Sequence, residues 1–309
     1  MPLLAGIESG GTKTVVAVAL EPQTVLDRIR IPTSADPTET LSAAAEFIAA
    51  QVSERGPLAA IGIGSFGPCD PSPESSTYGY VTSTPKPGWA NTDVIGILLR
   101  QLAKRGVDEV PVKFDTDVNA AALGEQLYGA GQGLSSLVYL TVGTGIGGGG
   151  LVDGELIHGL VHPEMGHIRI PRPVAEIEAF AGVCPYHGDC WEGVAAGPAL
   201  GARWGGPGET LPPDHPAWEL EAGYLVVGLH ALVCTLSPER IILGGGVGSS
   251  ENVISRVRPL LQASLNGYID SPAITHNIDT YIVPPGLGDN AGVTGAFALA
   301  EQALAESAD

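Results

Sequence analysis

Residues 3–20 read Leu-Leu-Ala-Gly-Ile-Glu-Ser-Gly-Gly-Thr-Lys-Thr-Val-Val-Ala-Val-Ala-Leu, and this stretch decides the fold. Two runs of β-forming residues joined by a short glycine turn predict a β-hairpin. A further strand is predicted at 26–31, which would extend the hairpin into an antiparallel meander. Apolar residues at helical spacing follow over 38–55, and 60–65 predict a buried strand. The chain therefore opens as an α/β unit.

The same pattern returns near the middle of the chain. Residues 136–142 are strand-like, 143–150 form a glycine loop, and the Asp-Gly pair at 153–154 predicts a hairpin turn. A strand at 240–243 leads into a third glycine-rich stretch at 244–248. Two α/β halves that each open with a glycine hairpin predict two similar domains facing each other across a cleft.

Composition restricts the partners. The 309 residues allow one or two domains, and 34 acidic against 15 basic residues give a formal charge of −19. This charge argues against nucleic acid and against an anionic membrane surface, because both need a basic patch. The longest apolar stretch, 224–236, contains His230 and is too short to span a bilayer. Four cysteines without a secretory leader predict a reduced cytoplasmic protein.

The glycine loops are candidate phosphate sites. The first, 6–14, resembles a P-loop, but Thr12 separates its last glycine from Lys13 and a strand follows instead of a helix. The second, 143–148, matches a dinucleotide pattern, yet no βαβ unit follows. Each loop alone is more typical of a tight turn. Together with the third loop they indicate a nucleoside triphosphate held by backbone N–H groups and threonine hydroxyls.

Three carboxylates lie at strand ends. Glu8, at the mouth of the first loop, suits a hydrated Mg²⁺ beside the phosphates, and a solvent-facing strand end is the equally good alternative. Asp115 and Asp117 lie between an apolar strand at 110–114 and a helix at 118–128. An N-cap is the common role of aspartate before a helix, but a carboxylate here also suits the base of a phosphoryl transfer.

Four candidate metal ligands lie within 24 residues: His167, Cys184, His187 and Cys190. Thiolate and imidazole suit zinc, and four protein ligands would close the site, so a structural ion is predicted. Two acids, Glu164 and Glu192, bracket this set, and a zinc ion would hold them in fixed geometry for a polar substrate. The alternative is a pair of buried thiols beside surface histidines.

Six motifs follow one another along nearly the whole chain. They are Gly-Ile-Glu-Ser-Gly-Gly-Thr-Lys at 6–13, Asp-Val-Asn-Ala-Ala-Ala-Leu-Gly-Glu at 117–125, Leu-Thr-Val-Gly-Thr-Gly-Ile-Gly-Gly-Gly at 140–149, Glu-Met-Gly-His at 164–167, the cysteine cluster, and Ile-Leu-Gly-Gly-Gly-Val at 242–247. In type and order these motifs resemble the ROK family of sugar kinases and repressors.

The resemblance implies an actin-like, hexokinase-type ATPase fold, in which two ribonuclease H-like α/β domains surround a cleft. The smaller domain would comprise 1–118 and be completed by a C-terminal helix at 292–309. The larger domain would comprise 119–291 and carry a zinc-binding insertion at 162–192.

The resemblance also assigns roles. Asp117 would be the catalytic base. Phosphate contacts would come from Gly10, Gly11, Thr12, Lys13, Thr14, Thr141, Gly143, Thr144, Gly145, Gly245 and Gly246. Sugar contacts would come from Gly67, Asn91, Thr116, Asp117, Glu164 and Glu192. The zinc ligands would be His167, Cys184, His187 and Cys190, although His187 stands where the family has a cysteine.

Within the family the chain is most similar to bacterial fructokinases, which share the segment Thr84-Pro-Lys-Pro-Gly-Trp89, Glu8 and Thr116. The implied activity is transfer of phosphate from MgATP to fructose, giving fructose 6-phosphate, by a homodimer with structural zinc. Glucokinase, mannokinase or broad-specificity hexokinase activity is one alternative, and a non-enzymatic actin-like ATP-binding switch is another. The repressor branch is disfavoured, because the first glycine loop begins at residue 6 and leaves no room for a DNA-reading module.

Overall fold

The structure, a computed structural model, describes residues 3–308. It divides into two compact units. The first unit contains the described residues up to Gly129, together with Leu156–Pro163 and those from Asp289 onward. The second contains Ala130–Glu155 and Glu164–Gly288.

The strands are numbered in chain order: β1 (Leu3–Ser9), β2 (Lys13–Glu21), β3 (Thr24–Pro32), β4 (Leu58–Ser65), β5 (Tyr80–Val81), β6 (Thr92–Asp93), β7 (Val112–Thr116), β8 (Leu137–Val142), β9 (Ile146–Val152), β10 (Glu155–Leu156), β11 (Arg240–Gly244) and β12 (Ile282–Val283). The α-helices are α1 (Pro37–Arg55), α2 (Val94–Ala103), α3 (Asp117–Tyr128), α4 (Val174–Ala179), α5 (Trp191–Ala195), α6 (Gly197–Trp204), α7 (Ala217–Leu236), α8 (Glu251–Leu265), α9 (Pro272–Thr275), α10 (Ile278–Tyr281) and α11 (Ala291–Glu306).

The first unit is built on a mixed sheet with strand order β3-β2-β1-β4-β7. The predicted meander supplies its antiparallel half, and β4 and β7 continue it in parallel. Alternate residues of β1 serve two cores, because side chains of a strand point to opposite faces. Leu3, Ala5 and Ile7 pack in the core that includes α1 and α2, whereas Leu4 packs with Phe297 of α11.

Helix α11 lies unusually close to this sheet. Gly6 and Gly62 are paired across β1 and β4, beneath the helix. A Cβ atom at Gly62 would overlap the backbone of Ala296, and one at Gly6 would lie 3.0 Å from the ring of Phe297. Glycine at both positions therefore permits the close packing that completes this core.

The second unit repeats the arrangement on a smaller scale, with strand order β10-β9-β8-β11-β12. Strands β8 and β9 form the predicted glycine hairpin, and β11 and β12 add in parallel to β8. Helices α7 and α8 pack against each other in this unit. The duplication inferred from the glycine hairpins is thus present in both sheets.

The compact units differ from the predicted boundaries. The sequence-based boundary at 118 falls inside α3, which packs against α11 and β4 and so lies in the first unit. Residues 156–163 lie there as well, although they fall within the predicted larger domain. The packing of α3 could not be read from local periodicity, because its partners come from residues 58–65 and 291–306.

Helix α7 corrects the prediction about membrane spanning. The apolar stretch at 224–236 extends back to Ala217, so the helix has 20 residues and is long and apolar enough to cross a membrane by length and composition. Half of its most apolar window is buried inside the protein. Trp218, Leu225 and Leu229 are among its buried side chains, as in a core helix of a folded domain.

Candidate active site

The first glycine loop joins β1 to β2 and is shaped by hydroxyl groups. Gly10 N–H donates to Lys13 O (2.9 Å), and Thr33 Oγ1 donates to Gly10 O (2.7 Å). Thr33 N–H donates to Thr12 O (3.0 Å), and its hydroxyl lies 3.0 Å from that of Thr14. Thr14 and Thr33 are buried, whereas Thr12 and Lys13 are exposed. The buried hydroxyls therefore hold the loop while its tip faces solvent.

Glu8 lies at the end of β1 and is half-buried. Its carboxyl group packs against Gly292 in the first turn of α11. Burial raises the pKa of Glu8, and the nearby charge of Lys13 partly opposes this rise. This turn is the N-terminal end of α11, and the N-terminal end of a helix favours a negative charge. Glu8 is therefore not a fully solvent-facing strand end.

Asp115, at the end of β7, is only 3% exposed and both of its oxygens are engaged. Oδ1 accepts hydrogen bonds from Thr116 N–H (2.7 Å) and Asn119 Nδ2 (2.9 Å). Oδ2 lies 2.8 Å from His158 Nε2. The hydrogen bond to Asp115 raises the pKa of His158. Asp115 is thus committed to organising the turn between β7 and α3.

The next two residues, Thr116 and Asp117, form the start of α3. Thr116 is the N-cap of α3, and its Oγ1 accepts a hydrogen bond from Asn119 N–H (3.0 Å). The expectation that Asp115 or Asp117 caps the helix is therefore wrong. Asp117 is the first residue of α3, is half-buried, and accepts a hydrogen bond from Val118 N–H at Oδ1 (2.9 Å). Its position in the first turn of the helix stabilises the ionised carboxylate.

Two predicted sugar contacts of the first unit lie on separate loops. Gly67 precedes a cis proline, Pro68, and contacts the ring of His162. Cys69 N–H donates to His162 Nε2 (3.1 Å). Asn91 adopts a left-handed conformation (φ 56°). Along the chain it comes shortly after the segment that resembles fructokinases. Asparagine tolerates this region better than most residues, which suits an exposed polar contact.

The fructokinase-like segment 84–89 is anchored to the turn after β3. Lys86 Nζ donates to Thr33 O (2.7 Å), and Trp89 Nε1 donates to Ser34 O (2.7 Å). Trp89 is fully buried. Since Thr33 also binds the first glycine loop, one residue links that loop to the segment preceding Asn91. Sequence reasoning missed Thr33, because an isolated threonine after a strand carries no distinguishing signal.

The second and third glycine loops contact each other through the backbone. Gly143 O accepts from Gly197 N–H (2.7 Å), and Val247 N–H donates to Val142 O (2.9 Å). Gly245 has φ 80°, and a Cβ atom there would lie 2.7 Å from Thr141 Oγ1. A side chain at this position would be strained in conformation and in space.

A cavity of about 530 Å³ opens beside these loops, large enough for a small-molecule ligand. It is lined by Gly143, Thr144, Gly197, Pro198, Pro207, Gly208, Glu209, Leu211, Trp218, Gly246, Val247, Ser249, Ser250 and Asn252. Three predicted phosphate contacts, Gly143, Thr144 and Gly246, are among the lining residues. The remaining wall combines apolar side chains with hydroxyl, amide and carboxylate groups.

The four predicted metal ligands converge in the second unit, with their ligand atoms within 4.8 Å of one another. His167 Nδ1 lies 3.4 Å from Cys190 Sγ and 3.8 Å from Cys184 Sγ. His187 Nδ1 lies 3.6 Å from Cys184 Sγ. This donor set and spacing fit tetrahedral zinc. Burial raises the pKa of the Cys190 thiol to about 11, so an adjacent cation is needed to make it a thiolate.

The two acids that bracket this cluster lie near the same histidine, His167. His167 Nδ1 faces the sulfur atoms, while its Nε2 lies 4.0 Å from Glu164 Oε2 and 4.0 Å from Glu192 Oε1. Glu192 Oε2 also accepts a hydrogen bond from Ile146 N–H (2.9 Å), at the end of the second glycine loop. The cluster, both acids and this loop are therefore one connected structure within the second unit.

Comparison with known proteins accounts for this combination. The model of the ROK family matches residues 4–303 of the chain. The chain belongs to the ROK family. This ROK protein is 46% identical to a putative fructokinase of Bacillus subtilis over 98% of its own length and 96% of that protein. It is 41% identical to a fructokinase of Pediococcus pentosaceus, over 98% of the chain and 99% of that protein.

Solved structures agree with this membership. The ROK hexokinase of Thermus thermophilus matches with a TM-score of 0.73 at 27% identity, over 98% of this chain and 99% of that one. The ROK glucokinase of Streptomyces griseus, solved with glucose and AMPPNP, matches with a TM-score of 0.73 at 26% identity, over 97% and 99%. The predicted family and the predicted actin-like ATPase fold are both confirmed.

Proposed function

We propose that this ROK protein is a fructokinase, which transfers a phosphoryl group from ATP to O6 of D-fructose. Full-length similarity to fructokinases, at 39–46% identity over five proteins, carries this proposal. The glucokinases of Streptomyces coelicolor and Streptomyces lividans are 26% identical, so similarity favours the fructose-specific branch. A bare ATP-dependent switch would not account for the pair of acids near His167 in the second unit.

Asp117 is the proposed base. Phosphoryl transfer needs a carboxylate that accepts the hydroxyl proton while the phosphoryl group moves. Asp115 is unsuited because it is buried and its oxygens already bind Thr116, Asn119 and His158. Asp117 is half-buried at a helix start, where its ionised form is stabilised. It would take the proton of fructose O6.

The nucleotide is assigned to glycine loops and to the cavity. In the second unit, Thr141, Gly143, Thr144, Gly145, Gly245 and Gly246 would offer backbone N–H groups and hydroxyls to phosphate oxygens. In the first unit, Gly10, Gly11, Thr12, Lys13 and Thr14 would do the same. Bound Mg²⁺ would neutralise phosphate charge during transfer, and Glu8 is the proposed carboxylate near its hydration shell.

The sugar is assigned to neutral and acidic hydrogen-bonding groups. Asn91, Glu164 and Glu192 would accept and donate at the fructose hydroxyls, with Gly67 and Thr116 as backbone contacts. Zinc on the cysteine–histidine cluster would act structurally, fixing the ring of His167 between the two acids. We further infer a cytoplasmic enzyme, in keeping with four free cysteines, and a homodimer, as the family resemblance implies.

A coupled assay of ADP release tests the function. The purified protein is supplied with MgATP and, in turn, fructose, mannose, glucose, an N-acylated amino sugar and no sugar. We expect fructose to give the highest kcat/KM and the no-sugar rate to be negligible. A higher value with glucose or mannose would transfer the assignment to those kinases. ADP release that does not depend on sugar would instead favour an ATP-dependent switch. Sedimentation velocity on the same sample tests the homodimer.

A further inference from the structure

Residues 156–163 form a strap, which packs in the first unit although its flanking residues belong to the second. Two histidines hold it. His158 contacts Asp115, and His162 accepts a hydrogen bond from Cys69 N–H. The backbone adds a third contact, because Asn119 Nδ2 donates to Ile157 O (3.3 Å). The strap is thus tied to the same turn that presents Asp117.

His158 contacts the buried carboxylate of Asp115. Asp115 Oδ1 is bound by Thr116 N–H and by the side chain of Asn119, both of which belong to the turn that starts α3. Its Oδ2 faces His158 at 2.8 Å. A buried carboxylate that loses a hydrogen-bonding partner is destabilised, or its surroundings rearrange. Any rearrangement here would move the residue between Thr116 and Val118, which is the proposed base.

We propose that His158 is a positioning residue for the phosphoryl-transfer base: by pairing with Asp115, it holds the first turn of α3 so that Asp117 keeps its orientation and its charge. This inference rests on the proposed function, because it presumes that Asp117 removes a proton. It assigns no contact between His158 and substrate.

Other charged groups near Asp115 do not replace the histidine. Lys113 precedes it on β7 and pairs with Glu306 of α11. The hydroxyl of Tyr78 accepts a hydrogen bond from the N–H of the residue before Asp115, and burial raises its pKa, so it stays neutral. Asp117 itself lies two residues along the chain. Without the histidine, the Asp115 charge would oppose ionisation of the base.

Four variants and one control test the proposal: His158→Ala, His158→Gln, Asp115→Asn, the double variant His158→Ala with Asp115→Asn, and His230→Ala. His230 is the matched control, because its Nδ1 makes a comparable 2.8 Å hydrogen bond to Ser264 in the second unit. Fructokinase kinetics are measured from pH 5 to pH 9, and thermal melting verifies that each variant is folded.

We expect His158→Ala to lower kcat about 10-fold, by analogy with other groups that orient catalytic residues. The KM for fructose and for ATP should change less than about threefold, because His158 is assigned no contact with substrate. The acid limb of the pH profile should move to higher pH. His158→Gln, whose amide can still donate, should recover part of kcat. In the Asp115→Asn background, removal of His158 should cause no further movement of the acid limb, because the two residues act through one contact.

Unchanged kcat and an unchanged acid limb in folded His158→Ala would overturn the proposal. So would equal losses in His158→Ala and His230→Ala, which would indicate general destabilisation. If His158→Ala does not fold, the decision passes to a comparison of His158→Gln, which can still donate, with an added variant His158→Leu, which cannot. Equal kcat and an equal acid limb in these two folded variants would overturn the proposal. A parent protein without fructokinase activity would defeat the proposed function instead, and so the two failures are distinguishable.

Discussion

The two units begin with similar glycine hairpins but stabilise them by different means. In the first unit, buried hydroxyls of Thr14 and Thr33 shape the loop, and its tip carries the exposed Lys13. In the second unit, the loop is packed against backbone of the third loop, and Gly245 has no space for a side chain. One sequence pattern therefore yields a loop that depends on side chains and another that depends on their absence.

The contrast extends to chemistry, since the proposed base belongs to the first unit. Asp117→Asn should keep the fold and the affinity for fructose but lower kcat by about 10²–10⁴-fold, because an amide cannot accept the proton. Steady-state kinetics with fructose measure this effect. Asp153→Asn is the control, since Asp153 lies in the hairpin turn of the second unit at φ 53°, where asparagine is equally tolerated. Turnover within a few-fold of the parent would rule out Asp117 as the base.

In the second unit, the next prediction concerns the cysteine–histidine cluster and the zinc ion proposed for it. We expect about one zinc per chain by elemental analysis, and none in Cys190→Ser. Loss of zinc should release His167 and raise the KM for fructose by about 10–100-fold, with a smaller effect on ATP. Cys234→Ser, at an exposed cysteine, is the control. A zinc-free preparation of normal activity would leave the cysteines as ordinary buried thiols.

A pair of glycine variants tests the contrast directly. Gly245→Ala should cost at least about 2 kcal/mol, because the residue has φ 80° and its Cβ would meet Thr141 and Val142. The melting temperature should fall by roughly 4–8 °C, and the KM for ATP should rise. Gly11→Ala should change stability by less than about 1 kcal/mol, because no atom lies within 4 Å of its Cβ position. Equal effects of the two substitutions would contradict the distinction between the loops.

The smallest effect is expected at the exposed tip of the first loop. Lys13→Met should raise the KM for ATP by about fivefold and lower kcat modestly, since one surface cation near phosphate is lost. The KM for fructose should stay nearly constant, because the sugar is neutral. Lys104→Met, at another exposed lysine, is the control. Unchanged kinetics with ATP would mean that Lys13 is a solvated strand-start residue.

The sequence allowed the hairpins, the family and the convergence of the four cysteine and histidine side chains to be predicted, because each depends on residues that are close along the chain. Contacts in the site between residues that are far apart along the chain were not predicted. His158 reaches Asp115 across 43 positions, and Lys86 reaches Thr33 across 53, without any periodic signal. The sequence also left the N-cap of α3 open between Asp115 and Asp117 and did not indicate Thr116, for a related reason. Asp115 is a good cap by type, but Asn119 and His158 occupy its carboxylate and leave the cap to Thr116.

The close packing of α11 on β4 also determines when the core of the first unit can be completed during translation. Gly62 emerges from the ribosome early, whereas Ala296, which packs over it, follows about 230 residues later. At about 5–20 residues per second this separation lasts roughly 10–50 s. For that time the apolar face formed by Leu4, Val15 and Ala17 lacks its cover, because the whole second unit is synthesised before α11. The unit that starts first is therefore finished last, and its apolar face stays uncovered until then.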